Sequence, residues 1–376
     1  MLILLLLTGG LYSSLILAFI IGFEKLKAPQ SIGEENSIRF SVIVPFRNEA
    51  ENLPCLLESF SLLNYPIGKF EILLIDDDSE DGSVEIGEKF KRDFPDFRMR
   101  ILKNKRQSKS PKKDAIRTGI ENSSFEYIIT TDADCRVPEN WLKYFEAQIK
   151  ANAPSMIAGP VAFSENLRKK LFQRFEEIDF FSLQGSSMGA FGIGKPFMCN
   201  GANLCYEKSA FEKVGGFQNN IEITSGDDVF LLQNFKAEGL KIDFLKKYEA
   251  AVFTNYQKDP GALISQRIRW GAKTSAYKDI FAKAVGLIVM VFNSLLIISG
   301  ILALFGSINY QILLFVFLIK FNLDFILIYK TAQFFQRELG MRDYFWVSFL
   351  HPFFLSFTAV LAIFSGFHWK GRKYKN

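Results

Sequence analysis

Histidine is almost missing from this chain: its 376 residues include only His351 and His368, both near the C-terminus. The long central region has none, which excludes a Ser-His-Asp triad or a His-ligated zinc there. Cysteine is scarce as well. Cys55, Cys135, Cys199 and Cys205 show no CxxC spacing, so reduced thiols are expected rather than a disulfide framework or a zinc ribbon. The formal net charge of +5 owes much to the C-terminal tail, and no basic-aromatic motif accompanies it, so nucleic acid is not an expected partner.

Charge itself is missing from residues 1–23, a stretch long enough for the roughly 20 residues that cross a bilayer as a helix. No basic stretch opens it and no small-residue cleavage site closes it before Glu24, Lys25 and Lys27, so it reads as a membrane anchor rather than a signal peptide. Those lysines place the central region in the cytoplasm by the positive-inside rule. A second apolar tract gives candidate spans at 284–306, 310–329 and 346–367. Inside it Lys320 and Asp324 are spaced i,i+4, as a structural ion pair would be; a polar lining for an acceptor path is the other reading. His351-Pro352 predicts a break in the last segment, because proline removes a backbone donor and disfavours helix in the residue before it. Four full crossings would leave the basic tail of Lys370, Arg372, Lys373 and Lys375 outside, against the same rule, so one segment is expected to be re-entrant.

Between residues 37 and 283 short β-rich runs alternate with helical stretches, the pattern of an α/β domain with a mainly parallel sheet. Strands are predicted at 39–44, stopped by Pro45, and at 70–75, 97–102 and 127–131; helices are predicted at 51–63, 83–94 and 113–121. Two acidic clusters follow strands directly: Asp76-Asp77-Asp78 and Asp132-Ala133-Asp134. In open α/β sheets ligands bind beyond the carboxyl ends of the strands, so both clusters should face one crevice.

Carboxylates one residue apart, as in Asp132 and Asp134, suit Mg or Mn, which bind through one or two carboxylates plus substrate phosphates. The run at Asp76 is crowded enough to need a cationic or donor-rich partner; Asp81 or Ser83 capping the next helix does not account for Asp76 and Asp77. A third cluster, Asp227-Asp228, also fits a helix N-terminal pair. Gln266, Arg269 and Trp270 fall at i, i+3 and i+4 and share one helix face just ahead of the second apolar tract, where Trp would also suit an interfacial anchor.

Ser41-Val42-Ile43-Val44-Pro45-Phe46-Arg47-Asn48-Glu49, the Asp76-Asp77 run, Asp132-Ala133-Asp134, Asp227-Asp228 and Gln266-x-x-Arg269-Trp270, in that order, resemble the membrane-bound family 2 glycosyltransferases, which include cellulose and poly-N-acetylglucosamine synthases. The resemblance covers about residues 39–275. It implies an α/β domain of GT-A (Rossmann-like) fold flanked by N- and C-terminal transmembrane helices. It further implies inverting transfer from a nucleotide-sugar, a UDP-sugar above all, with a Mg or Mn ion.

On that resemblance Pro45, Arg47, Glu49, Asp76, Asp77 and Lys112 hold the nucleotide, Asp134 binds the metal with Asp132 supporting it, and Arg269 faces the diphosphate. Gly201, Gln266 and Trp270 face sugar and acceptor. Asp228 is the general base, with Asp227 beside it; Gly226 and the shorter side chain of Asp227 depart from the family's Thr-Glu-Asp. The stretch at Lys112 departs too, with Ile116 and Arg117 in place of Leu and Asn.

The implied organisation is an anchor at 1–23, a cytoplasmic catalytic domain at 37–258, an interfacial region at 259–283, a membrane region at 284–369 and a basic tail at 370–376. The implied setting is the cytoplasmic membrane. The expected acceptor is a growing polysaccharide. A membrane lipid is the alternative, as in ceramide-type glucosyltransferases, and residues 368–374 resemble the tail of some lipid-directed enzymes. A non-catalytic membrane scaffold is the remaining reading, though every expected acidic position is occupied. No export partner is identified by any of these residues.

Overall fold

The computed structural model describes residues 1–29, 36–166, 168–364, 367–369 and 372–374. The chain divides into two compact units, each built from separated segments: residues 27–164 with 198–255, and residues 1–26 with 165–197 and 256–376.

Apolar helix α1 (Leu2–Lys25) belongs to the second of these. The first unit then opens with β1 (Phe40–Phe46), α2 (Leu53–Ser61), β2 (Phe70–Asp76), α3 (Ser83–Asp93), β3 (Met99–Lys103), α4 (Pro111–Glu121), β4 (Tyr127–Thr130), α5 (Trp141–Asn152), β5 (Met156–Ala158) and β6 (Val161–Phe163). It resumes, after α6 (Leu171–Gly192) of the other unit, with β7 (Leu204–Glu207), α7 (Lys208–Lys213), α8 (Asp227–Ala237), β8 (Ile242–Phe244) and β9 (Val252–Thr254).

Seven strands form one sheet in the order β3-β2-β1-β4-β7-β5-β8. The pairs among β3, β2, β1 and β4 are parallel, as is β5 with β8, while β7 runs antiparallel to both neighbours, so the sheet is mainly parallel, as expected, with one antiparallel strand. Its centre reads as continuous apolar sequence because both faces are covered: Val42 to Val44 and Ile72 to Ile75 are fully buried. Each such side chain contributes roughly 1.5–3 kcal/mol of burial. Helix α4 packs closely on β1, where a Cβ on Gly119 would stand 2.6 Å from the Ile43 side chain.

The predicted strand limits shift by a residue or two. Pro45 does not stop β1, which continues to Phe46. Pairing with β4 ends at Ile43 while pairing with β2 runs on to Asp76, so beyond Ile43 only β2 lies alongside. A residue without an N–H is tolerated where one side of the ladder has already ended.

The second unit consists of α1, α6, α9 (Pro260–Ala272), α10 (Ile280–Leu304), α11 (Tyr310–Phe334) and α12 (Met341–Phe364), with a two-stranded ladder of β10 (Phe367–Trp369) and β11 (Arg372–Tyr374). Lys370, Gly371, Lys375 and Asn376 of the basic tail lie outside the described residues. Helices α1, α10, α11 and α12 are long and apolar enough to cross a membrane. The expected break at His351-Pro352 is absent: α12 continues through Pro352. Neighbouring helices make an interior proline tolerable in an apolar helix of this kind.

Two contacts define this bundle. Helices α1 and α6 meet at backbone distance: a Cβ on Gly22 would stand 2.0 Å from the Gly189 carbonyl oxygen, and one on Gly192 only 1.8 Å from the Gly22 oxygen. Lys320 and Asp324 do pair, within α11, and Tyr12 Oη of α1 donates to Asp324 Oδ1 at 2.8 Å. The two charges within this apolar helix thus neutralise each other, and the cross-helix bond comes from a tyrosine.

Candidate active site

The loops after β1 and β2 are sewn together at the carboxyl end of the sheet. Arg47 Nη1 donates to the carbonyl oxygens of Asp77 and Asp78, both at 2.6 Å, and Nη2 pairs with Glu80 at 3.2 Å. In return Asn48, in a left-handed conformation, accepts from the Glu80 amide, while Ser79, Ser83 and Asp81 accept from the amides of Asn48, Glu49 and Ala50. Arg47 and the Glu49 backbone therefore join the two loops into one wall. Pro45 is half-buried beneath it, and the Glu49 carboxylate accepts from Asn52 at 2.7 Å.

The acidic run on β2 has the compensating cations its crowding requires. Asp77 Oδ1 accepts from Arg106 Nε at 2.5 Å and Asn104 Nδ2 at 2.8 Å, and Asp78 pairs with Lys103 and Arg106. The Lys103 hydrogen bond, with the charges of Arg106 and Lys103, holds the Asp78 carboxyl below its usual range. Asp76 turns its Oδ1 to the Ser79 amide at 2.9 Å. The role of Arg106 depends on its loop folding back over Asp77.

Asp132 and Asp134 lie just past β4 and are half-buried. Lys112 Nζ stands 2.7 Å from Asp132 Oδ1 and 3.2 Å from Asp227 Oδ2, so one ammonium joins the second acidic cluster to the third. Burial alone would lower the Lys112 pKa, but the charges of Asp132 and Asp227 outweigh it and hold the group above its ordinary value. Asp227 and Asp228 open α8 after Gly226, whose φ of 82° is left-handed and suits glycine. Asp228 Oδ1 accepts from the Val229 amide at 2.7 Å, and Oδ2 lies 3.3 Å from the Gly201 amide.

Gly201 brings its backbone close to these groups. A Cβ there would stand 2.9 Å from Asp227 Oδ2 and 3.6 Å from Lys112 Nζ. The turn that carries it is fixed from below: Thr130 Oγ1 donates to the Gly201 carbonyl, and the buried Asn203 amide accepts from Trp141 Nε1 and donates to the Pro160 and Ala250 carbonyls.

The neighbouring Lys113 was not singled out by its sequence context. Its Nζ is buried and donates to Asn220 Oδ1 and to the carbonyls of Asn220 and Ile223, at 2.8–2.9 Å, anchoring the segment that leads into Asp227. Adjacent residues on a helix point about 100° apart, so Lys112 faces the carboxylates while Lys113 faces the segment behind them.

Among the described residues no group of three or more His, Cys, Asp or Glu is arranged to hold a metal ion. The chain itself would offer a divalent ion Asp134 and Asp132, a donor set that fits Mg or Mn when phosphate oxygens and water complete the shell. Gln266, Arg269 and Trp270 stand on α9, in the other unit. The structure thus brings Lys112, Asp132, Gly201, Asp227 and Asp228 together, places Asp77 under Arg106, and carries the aromatic-basic motif on a separate unit.

The model of glycosyl transferase family 21 matches residues 2–376. A glycosyltransferase of Haloferax volcanii, AglE, is 28% identical over 204 residues, covering 54% of this chain and 63% of that protein. A poly-beta-1,6-N-acetyl-D-glucosamine synthase of Staphylococcus epidermidis is 26% identical over 272 residues, covering 69% of this chain and 62% of that one. The chain thus spans a little over three fifths of the length of these curated relatives. Among solved structures, a mannosyltransferase of Pyrobaculum calidifontis in complex with GDP-Man and Mn2+ superposes with a TM-score of 0.63 at 15% identity, covering 96% of this chain and 99% of that one. That likeness shows the fold, which is GT-A.

Proposed function

The chain belongs to glycosyl transferase family 21, and on that premise we propose that it is an inverting transferase moving a sugar from a nucleoside-diphosphate sugar to an acceptor at the cytoplasmic face of the membrane. The observation that carries this reading is the convergence of Asp132, Asp227, Asp228 and Lys112 at the backbone of Gly201.

In this reading the loop walls held by Arg47 and Arg106 seat the nucleotide against Asp76 and Asp77. Asp134 and Asp132 would hold Mg or Mn, which when bound would supply charge neutralisation for the departing diphosphate. The Pyrobaculum calidifontis protein was solved with GDP-Man and Mn2+, which supports that assignment. Lys112 adds a fixed positive charge beside the same oxygens. Asp228 Oδ2 takes the proton of the acceptor hydroxyl as its oxygen attacks the anomeric carbon from the face opposite the diphosphate. The bond from that carbon to the diphosphate oxygen breaks, and configuration inverts. Gly201 lets acceptor and donor sugar approach the backbone without a side chain between them. On the resemblance, Arg269 serves the diphosphate and Gln266 and Trp270 the acceptor, and α1, α10, α11 and α12 hold the chain in the bilayer.

A membrane lipid is the acceptor best matched to the bundle. A polysaccharide crossing the bilayer needs a polar passage, and the charges of Lys320 and Asp324 are engaged with each other and with Tyr12. A growing glycan is the second reading, favoured by the alignment with the Staphylococcus epidermidis polymer synthase over 69% of the chain. Membranes containing the protein, given radiolabelled UDP- and GDP-sugars, separate the two: label in the organic extract supports a lipid acceptor, and label in insoluble polymer supports the glycan. Label in neither fraction, with every donor, contradicts transfer altogether.

A further inference from the structure

Of the two residues between Gln266 and Arg269, Arg267 has no role in the sequence motif, yet it is tightly held. Arg267 is 8% exposed and Asp179, on α6, is 5% exposed. Arg267 Nε donates to Asp179 Oδ2 at 2.7 Å, and Nη2 lies at the same distance from that oxygen. Its Nη1 donates to Gln266 Oε1 at 2.5 Å, and its guanidinium carbon sits 4.3 Å from the centroid of the Trp270 ring. On the far side of the carboxylate, His351 Nε2 from α12 lies 3.2 Å from Asp179 Oδ1. Burial pushes the Asp179 carboxyl up, but Arg267 and His351 more than offset it and hold it down at about 2, so it is ionised.

One guanidinium thus touches both side chains on which the acceptor reading rests. Its orientation is set by a carboxylate from a different helix. A buried ion pair adds little net stability, because desolvation offsets the attraction; a use in fixing one geometry accounts for such a pair better. Gln266 and Trp270 are uncharged and have several rotamers of similar energy. Arg267 restricts them by a hydrogen bond to the first and a cation-π contact with the second.

We propose that Asp179 and His351 are positioning residues for the acceptor motif: Asp179 orients Arg267, Arg267 orients the Gln266 amide and the Trp270 ring, and His351 orients Asp179. The proposal rests on reading Gln266 and Trp270 as acceptor-binding. The packing of α9 is consistent with it. Ile268, Ile264 and Ala272 pack with Ala362 and Leu361 of α12, so the helix is also seated by apolar contacts and the polar network is free to set side-chain orientation. Misplacement of a substrate-positioning group by 1 Å costs on the order of 100-fold in rate.

The test uses the full-length protein in lipid nanodiscs, labelled with 5-fluorotryptophan, with the Trp270 resonance assigned by its loss in Trp270→Phe. Asp179→Asn is expected to move that resonance and to lower transfer to membrane acceptor by about 30-fold or more. Affinity for UDP or GDP with Mn2+, whichever the wild type binds, should stay within about twofold, since nothing in the network belongs to the donor loops. Asp179→Glu, which keeps the charge, should recover part of the transfer and return the resonance toward its wild-type position. His351→Gln keeps the Asp179–Arg267 pair and serves if Asp179→Asn does not fold; it should shift the resonance less and lower transfer by roughly 3- to 10-fold. A Trp270 resonance unmoved by every folded variant overturns the proposal, as does nucleotide affinity that falls in step with transfer. If the wild type transfers no sugar while the resonance still responds to Asp179, the network stands and the glycosyltransferase reading fails.

Discussion

Lys112 and Asp132 form a 2.7 Å ion pair in the unit that carries the seven-stranded sheet, and the same ammonium reaches Asp227 at 3.2 Å. Two carboxylates that are far apart in the chain are thereby held in one place by a single cation from α4. Lys112→Met keeps most of the volume and removes the charge. Binding of a nucleoside diphosphate with Mn2+ should weaken by roughly 10- to 100-fold, the usual worth of a charge-assisted contact. Isothermal titration of the purified protein measures it, and an affinity within twofold of wild type would remove Lys112 from the donor site.

Asp134→Ala should abolish the enhancement of nucleotide binding by Mn2+ while leaving the weaker metal-free affinity nearly intact. Titrations with and without Mn2+ provide the comparison. Asp132→Ala should combine that loss with a change at Lys112, because it removes the partner of the ammonium as well.

The bundle supplies a pH-dependent prediction. Burial raises the Glu176 carboxyl from its ordinary 4.5 to about 7, against the opposing effects of the Gln257 amide and the Arg267 charge. The folded state therefore binds more protons than the unfolded chain between those values, so stability is complete at low pH and declines as pH rises toward 7. Such a shift corresponds to roughly 3 kcal/mol at most. Glu176→Gln should melt above the wild type at pH 8 and close to it at pH 4.5 in thermal unfolding by circular dichroism. A variant equally shifted at both pH values would contradict the assignment.

Close helix contact makes Gly192 intolerant of even one methyl group, which would stand 1.8 Å from the Gly22 carbonyl oxygen. Gly192→Ala should destabilise the protein by roughly 1–3 kcal/mol, whereas the same change at Gly286, which has nothing within 4 Å, should be neutral or slightly stabilising. Comparative thermal unfolding in one detergent reads the difference.

The order of acidic clusters made much of the sheet-containing unit legible, because each cluster borders an element whose apolar pattern is clear. Strand ends were displaced where tertiary pairing decided them, as at Pro45, which remains in β1 because β2 continues beside it. Helix α6 was not legible as a partner of the terminal helices. Glu176, Glu177 and Asp179 interrupt its apolar pattern, and Arg267 and His351, which pair with Asp179, lie far away in sequence. For the same reason Arg267 looked like a spacer between two motif residues. Lys113 and Arg106 share this limit: a cation's role is set by the loop that folds onto it, and sequence spacing does not specify that loop.

The central claim is that Asp228 removes the acceptor proton in a sugar transfer, and its most direct test is turnover by Asp228→Asn in membranes or nanodiscs. The asparagine keeps the shape and leaves the Lys112 contacts in place, so nucleotide binding should persist while transfer falls by about 100- to 10,000-fold, the range for loss of a general base. Turnover within a few-fold of wild type would contradict the account.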